Sequence, residues 1–178
     1  MERLYAPWRM AYMDQPHRPA PGGSGCVFCD KAASTDDVAN LVVHRGESCF
    51  VLLNLFPYNN GHLLIVPYLH TAQLDALDSA ASSELLTLAT QAQAALGRTV
   101  HPEGYNLGMN LGSAAGAGIA DHLHLHLVPR WNGDTNFMPT LADVKVLPDA
   151  LEHTCLALRA AWETQGDTDT GVLGRKEE

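Results

Sequence analysis

A chain of 178 residues, 46% of them hydrophobic and 17% charged, is long enough to bury a core of its own without disulfide staples, and one domain is the expected count. Its formal net charge of −9 favours solubility and excludes a general nucleic-acid binder, which needs a basic surface to displace phosphate counterions; an anionic substrate must therefore meet a local pocket of donors. No run of about 18 apolar residues exists to span a membrane, and the N-terminus, with Arg3, Arg9 and Asp14, lacks the apolar stretch of a secretory signal, which points to the cytoplasm.

The N-terminal arm, residues 1–25, ends in a Pro/Gly/Ser-rich lead and runs into Cys26-Val-Phe-Cys29. This C-x-x-C pair is open to three readings: half of a tetrahedral zinc site, a redox pair, or chance. A thioredoxin-like pair wants a βαβ context after it, whereas Ala32 to Asp37 reads as a polar loop. Cys49 and Cys155 lie inside apolar segments and read as small buried hydrophobes. The apolar runs Leu41–His44 and Cys49–Leu55, separated by Arg45-Gly-Glu-Ser48, predict a β-hairpin. A third strand, His62-Leu-Leu-Ile-Val-Pro67, follows the turn formers of Phe56–Gly61 and makes an antiparallel meander. Asn54 closes the second strand, where its amide can cap the turn or reach a ligand along the sheet edge. His70, past that third strand, reads by itself as a surface or capping histidine.

Leu85, Leu88, Ala89, Ala92 and Leu96 recur at helical spacing, predicting an amphipathic helix over Ser79–Gly97 with Gly97 as its stop. Gly104–Leu111 alternates again, with Asn106, Gly108 and Asn110 on a small, polar face suited to lining a ligand. Gly112 to Gly118 is nearly all small residues, so Ser113, Gly116, Ala117 and Gly118 can bring backbone N–H groups close to phosphate oxygens; a flexible linker is the alternative. Then comes Asp121-His-Leu-His-Leu-His-Leu-Val-Pro-Arg-Trp131. On a strand this sequence puts His122, His124 and His126 on one face and Leu123, Leu125 and Leu127 on the other, with Pro129 ending the ladder. Asn132-Gly-Asp134 is a turn, the segment to Pro148 has no assignable pattern, and a last helix over Asp149–Trp162 aligns Leu151, Cys155, Leu158 and Trp162 as core or as a dimer seam. The polar residues 163–178 read as a disordered tail.

His122-Leu-His124-Leu-His126-Leu-Val resembles the signature of the histidine triad family of nucleotide hydrolases and nucleotidyl transferases. The resemblance extends from about Arg3 to about Trp162, and Pro129–Met138 is similar to the branch containing bacterial diadenosine tetraphosphate phosphorylases. It implies an α+β domain over residues 1–162, an antiparallel sheet of about five strands with two principal helices, and a homodimer joined through a helix and a neighbouring strand. It places the nucleophile at His124, which attacks the α-phosphorus and leaves a nucleotidyl-histidine, while His126 donates a hydrogen bond to the phosphate or the leaving group. Asn54 then matches a ribose contact and His62 a histidine beside the base pocket. Cys26, Cys29, His70 and His122 match residues that bind zinc in several bacterial members, a closed and therefore structural Cys₂His₂ set. Family hydrolases commonly carry Gln or Ser a few residues before the triad, where this chain has Ala117 and Gly118. That departure favours inorganic phosphate over water as the second nucleophile. The expected function is phosphorolysis of a dinucleoside polyphosphate, with a dinucleoside polyphosphate or phosphoramidate hydrolase, and a non-catalytic nucleotide-binding module, as rivals.

Overall fold

A computed structural model describes residues 23–134 and 149–166. Its five strands are β1 (Val42–Arg45), β2 (Cys49–Leu53), β3 (Leu63–Pro67), β4 (Gly104–Met109) and β5 (Leu125–Arg130), and its helices are α1 (Val27–Ala33), α2 (Ser79–Thr99) and α3 (Leu151–Gly166). They form one antiparallel sheet in the order β1-β2-β3-β5-β4. The meander is present as expected, with Val51 opposite Ile65 and Leu53 opposite Leu63.

Both faces of the central strands are covered, which is why Cys49–Leu53 and Leu63–Pro67 are apolar throughout rather than alternating. On one face Cys49, Val51, Leu53, Leu63, Ile65, Leu125 and Leu127 meet Leu85, Leu88, Ala92 and Leu96 of α2 and Cys155, Leu158 and Trp162 of α3. The last helix thus serves the core of its own chain. On the other face Phe50, Leu52, Leu64 and Val66 meet Phe28 of α1. His126 stands opposite Leu64 across the ladder, so it belongs to this second face, while Leu125 and Leu127 enter the first.

Several boundaries differ from expectation. The Cys pair opens a short helix, α1, with Cys26 at its N-cap position, and the helix takes in Ala32 and Ala33, where the expected polar loop begins; Phe28 is its one fully buried side chain. Gly97 does not stop α2, which continues to Thr99 and closes with the Val100 N–H on the Leu96 carbonyl. Asp78 starts that helix by accepting the Ala81 N–H at 2.8 Å. The triad strand begins only at Leu125, so His122 and His124 precede it. Nor does Pro129 end it: Tyr105 lies opposite Pro129 and Gly104 opposite Arg130. Pairing with β3 stops at Leu63 opposite Leu127, so Pro129 has ladder on one flank only, where a missing N–H is tolerated. Finally, α3 carries residues 163–166, which were assigned to the tail; residues 1–22, 135–148 and 167–178 lie outside the described residues.

Candidate functional site

Two clusters share the α1 face of the sheet, and the first contains Cys26, Cys29, His70 and His122. Cys26 and Cys29 are presented by the cap and first turn of α1, His70 follows β3, and His122 precedes β5. Their ligand atoms all lie within 4.8 Å of one another. The Cys26 Sγ and the His122 Nδ1 are 3.2 Å apart, the Cys29 Sγ and the His70 Nδ1 3.2 Å, and the Cys29 Sγ and the His122 Nδ1 3.6 Å. A tetrahedral ion with metal–sulfur and metal–nitrogen bonds of about 2.3 and 2.0 Å needs ligand separations of about 3.3–3.8 Å; three pairs here lie at 3.2–3.6 Å and the rest within 4.8 Å, close to what such an ion requires.

The surroundings fit a metal as well. The His122 Nε2–H donates to the Pro67 carbonyl at 2.9 Å, which turns the Nδ1 lone pair towards the two sulfurs. Burial pushes His122 below its ordinary value, an effect the Pro67 carbonyl partly offsets, so the ring is held neutral as a ligand must be. Burial pushes the Cys29 thiol up, and the adjacent Cys26 pushes it further. The helix that carries them is tied down at its far end, where the Arg45 guanidinium donates to the carbonyls of Lys31, Ala32 and Ser34 at 3.0, 2.9 and 2.8 Å and pairs with Asp37 at 2.8 Å.

Phe28 links this cluster to the second, its ring lying 5.4 Å from that of His122 and 5.1 Å from that of His124. His124 is 6% exposed. Its Nδ1–H donates to the His122 carbonyl at 2.8 Å, which leaves the lone pair on Nε2. Burial lowers its pKa, with that carbonyl partly compensating, so the imidazole is a neutral base. The His126 ring lies 4.9 Å away, edge-on.

The proton on His126 can be located from its neighbours. The Tyr58 backbone N–H donates to the His62 Nδ1 at 3.1 Å, so the single proton of a neutral His62 sits on Nε2. That Nε2 is 3.0 Å from the His126 Nδ1, which accepts it, and the His126 proton is left on Nε2. Asn54 supports the same arrangement: its Oδ1 accepts the Phe56 N–H at 3.1 Å, which assigns its Nδ2 as the donor 3.3 Å from the His62 Nδ1. The row therefore holds a lone pair on the His124 Nε2 beside an N–H on the His126 Nε2, a base and a donor side by side.

The residues expected to contact substrate divide into two groups. Asn54 and His62 join the histidine row, but His62 is fully buried and meets the site through His126. The Asn110 Nδ2 lies 3.5 Å from the Gly116 carbonyl in the exposed loop after β4. There the Gly116 N–H is committed to the Ser113 carbonyl at 2.9 Å, so it is turned into the loop itself. Gly112 and Gly116 both take positive φ, 80° and 83°, which a residue with a side chain adopts only with strain. Phe28 and Tyr58 were missed from sequence; the position of Phe28 between two cysteines was the only signal either offered.

Residues 36–133 match the model of the HIT domain. The AP-4-A phosphorylase of Mycobacterium tuberculosis is 38% identical over 168 residues, spanning 93% of this chain and 86% of that protein. The adenosine 5'-monophosphoramidase of Schizosaccharomyces pombe is 28% identical over 107 residues, 60% of this chain and 75% of that one. A zinc-bound histidine triad family protein from Mycobacterium smegmatis superposes with a TM-score of 0.62 at 26% identity, covering 80% of this chain and 96% of that one. The chain belongs to the HIT domain family, whose named relatives are nucleotide-processing enzymes.

Proposed function

We propose that this protein cleaves diadenosine tetraphosphate or a related dinucleoside polyphosphate through a nucleotidyl-histidine, and that inorganic phosphate completes the reaction. What carries the chemistry is the tautomer pair that the hydrogen bonds imply, a lone pair on the His124 Nε2 and a proton on the His126 Nε2. The His124 Nε2 attacks the α-phosphorus, forming an N–P bond as the bond to the bridging oxygen breaks and ATP leaves. The His126 Nε2–H donates to the oxygens that gain charge in that step. Phosphate then attacks the adenylyl-histidine, restoring the free imidazole and releasing ADP. Water in the same position would release AMP. The 38% identity to a phosphorylase and the absence of a Gln or Ser side chain at Ala117 and Gly118 both favour phosphate.

Cys26, Cys29, His70 and His122 are the residues that would hold zinc; four protein ligands would leave no place for a bound water, so the metal would supply rigidity rather than Lewis acidity. Its effect would be to fasten α1 to the turn that delivers His124. Among the described residues no helix is long and apolar enough to cross a membrane, in keeping with a cytoplasmic enzyme. β4 is an outer strand of the sheet, with Leu107 on it and Leu111 just after it at 47% and 50% exposure, and it is the edge through which a homodimer would form.

The test is incubation with diadenosine tetraphosphate, with and without phosphate. ADP and ATP appearing only with phosphate support phosphorolysis; AMP and ATP without it establish the hydrolase instead; an intact substrate with AMP bound establishes a binding module.

A further inference from the structure

The loop between β2 and β3 supplies the hydrogen bond that orders the His62–His126 pair, and that loop is anchored from outside the histidine row. Asp134 accepts from the Arg130 Nε and Nη2 at 2.6 and 2.9 Å, from the Trp131 N–H at 3.2 Å and from the Asn59 Nδ2 at 2.8 Å. The same Asn59 amide donates to the Pro129 carbonyl at 3.1 Å, and the Arg130 Nη1 donates to the Asn106 Oδ1 at 2.6 Å. The Asp134 side chain is only 11% exposed, and the Arg130 guanidinium beside it keeps its carboxyl ionised well below the usual carboxylate range. These are charge-assisted bonds, shorter and stronger than neutral ones.

Asn59 brackets His62. Its carbonyl accepts the His62 backbone N–H at 3.1 Å, while the residue before it, Tyr58, donates its own N–H to the His62 Nδ1. The Tyr58 ring is stacked on that of His62, with centroids 4.9 Å apart and planes at 22°. We propose that Asp134 is a positioning residue for the reaction: by holding Asn59 it fixes the Tyr58 N–H on His62, and through His62 it keeps the proton of His126 on Nε2.

This inference rests on the reading of His126 as the donor to substrate. Without the anchor, the loop is free to withdraw the Tyr58 N–H, leaving only the longer Asn54 contact at 3.3 Å on the His62 Nδ1; His62 can then carry its proton on Nδ1 in part of the population, and the His126 proton can move to Nδ1, away from the oxygens it serves. Neither Asp134 nor Asn59 touches the reacting atoms, so their loss acts on the rate of the chemical step more than on substrate binding.

Asn59→Ala and Asp134→Asn test the proposal with two readouts. In ¹⁵N-histidine-labelled protein, two-bond proton–nitrogen correlation distinguishes the tautomers; the wild type should show His62 and His126 as Nε2–H forms, and the variants a mixture. With diadenosine tetraphosphate, kcat should fall about tenfold while KM stays within about threefold and metal content is unchanged. Unaltered tautomers, or a wild-type kcat, would overturn the proposal, as would kcat and KM changing only in step with thermal stability. Should Asp134→Asn fail to fold, Asn59→Ala decides, since it leaves the Arg130–Asp134 pair intact. If the wild type leaves diadenosine tetraphosphate uncleaved, the assigned substrate fails, yet the tautomer comparison still decides whether Asp134 sets the His126 proton.

Discussion

Truncating Phe28 should damage stability, metal retention and turnover together. Its side chain is 2% exposed, wedged between the sheet residues Phe50, Leu52 and Leu64 and the rings of His122 and His124. A buried aromatic removes about 150–250 Å² from water, worth about 4–6 kcal/mol at 25 cal/mol per Å², and core Phe→Ala changes cost about 3–5 kcal/mol. Taking about 4 kcal/mol, and about 2–4 °C per kcal/mol for a chain of this size, Phe28→Ala should lower the Tm by roughly 8–16 °C. The same change frees α1 to tilt, so chelator competition should extract the metal more readily than from wild type. Phe28→Leu keeps an apolar side chain in the same place and should recover most of both losses. Thermal unfolding with and without chelator gives the comparison. A loss below about 1 kcal/mol with unchanged metal retention would show that Phe28 does not seat the helix, and the coupling between the two clusters would have to be abandoned.

His124→Ala should abolish turnover and leave nucleotide affinity within about tenfold, because the covalent step is removed and the pocket is kept; mass spectrometry finding the nucleotidyl adduct on His122 or His126 would refute this. Purified protein should contain about one zinc per chain, and Cys26→Ser or chelation should release it and lower stability well beyond a surface substitution; elemental analysis without zinc would count against the assignment. His44, stacked on Trp162 at 4.7 Å, is pushed below its ordinary value of 6.5, chiefly by burial and further by Arg159, with Glu84 opposing. The folded state therefore resists the proton that the unfolded chain takes up, and stability should decline as pH falls below about 6.5 until the lower folded value is passed. In His44→Gln that decline should be shallower in denaturant titrations across pH 5–7, and an unchanged slope would exclude the group.

Local pattern was legible where burial imposes a period. The alternation of leucine and histidine at Leu125–Leu127 and the spacing of Leu85, Leu88, Ala92 and Leu96 both follow from one side facing a core. The helix after Cys26 left no such trace, because only Phe28 of its seven residues is fully buried. Gly97 misled for a related reason: a glycine ends a helix when the chain must turn, but here Leu96 is still buried against the sheet and the next turn is needed to satisfy its carbonyl. The four candidate ligands come from separate segments, and nothing in their spacing joins Cys26 to His122; family resemblance alone suggested that set. The Tyr58 contact to His62 is made by a backbone N–H, which every residue but proline possesses, so no side-chain identity could announce it.

Cys26 and His122 meet across a sequence separation of 96 residues. Closing a loop of that length costs about 4 kcal/mol of chain entropy on logarithmic scaling, so this contact is among the last that a folding chain is able to make. An ion held by both ends would bind after the sheet and α2 are in place, and its contacts would be missing from the transition state. Metal should therefore leave the refolding rate nearly unchanged and slow unfolding by the whole of its binding free energy, making the loaded protein long-lived against heat and proteolysis in proportion to how slowly it lets the ion go.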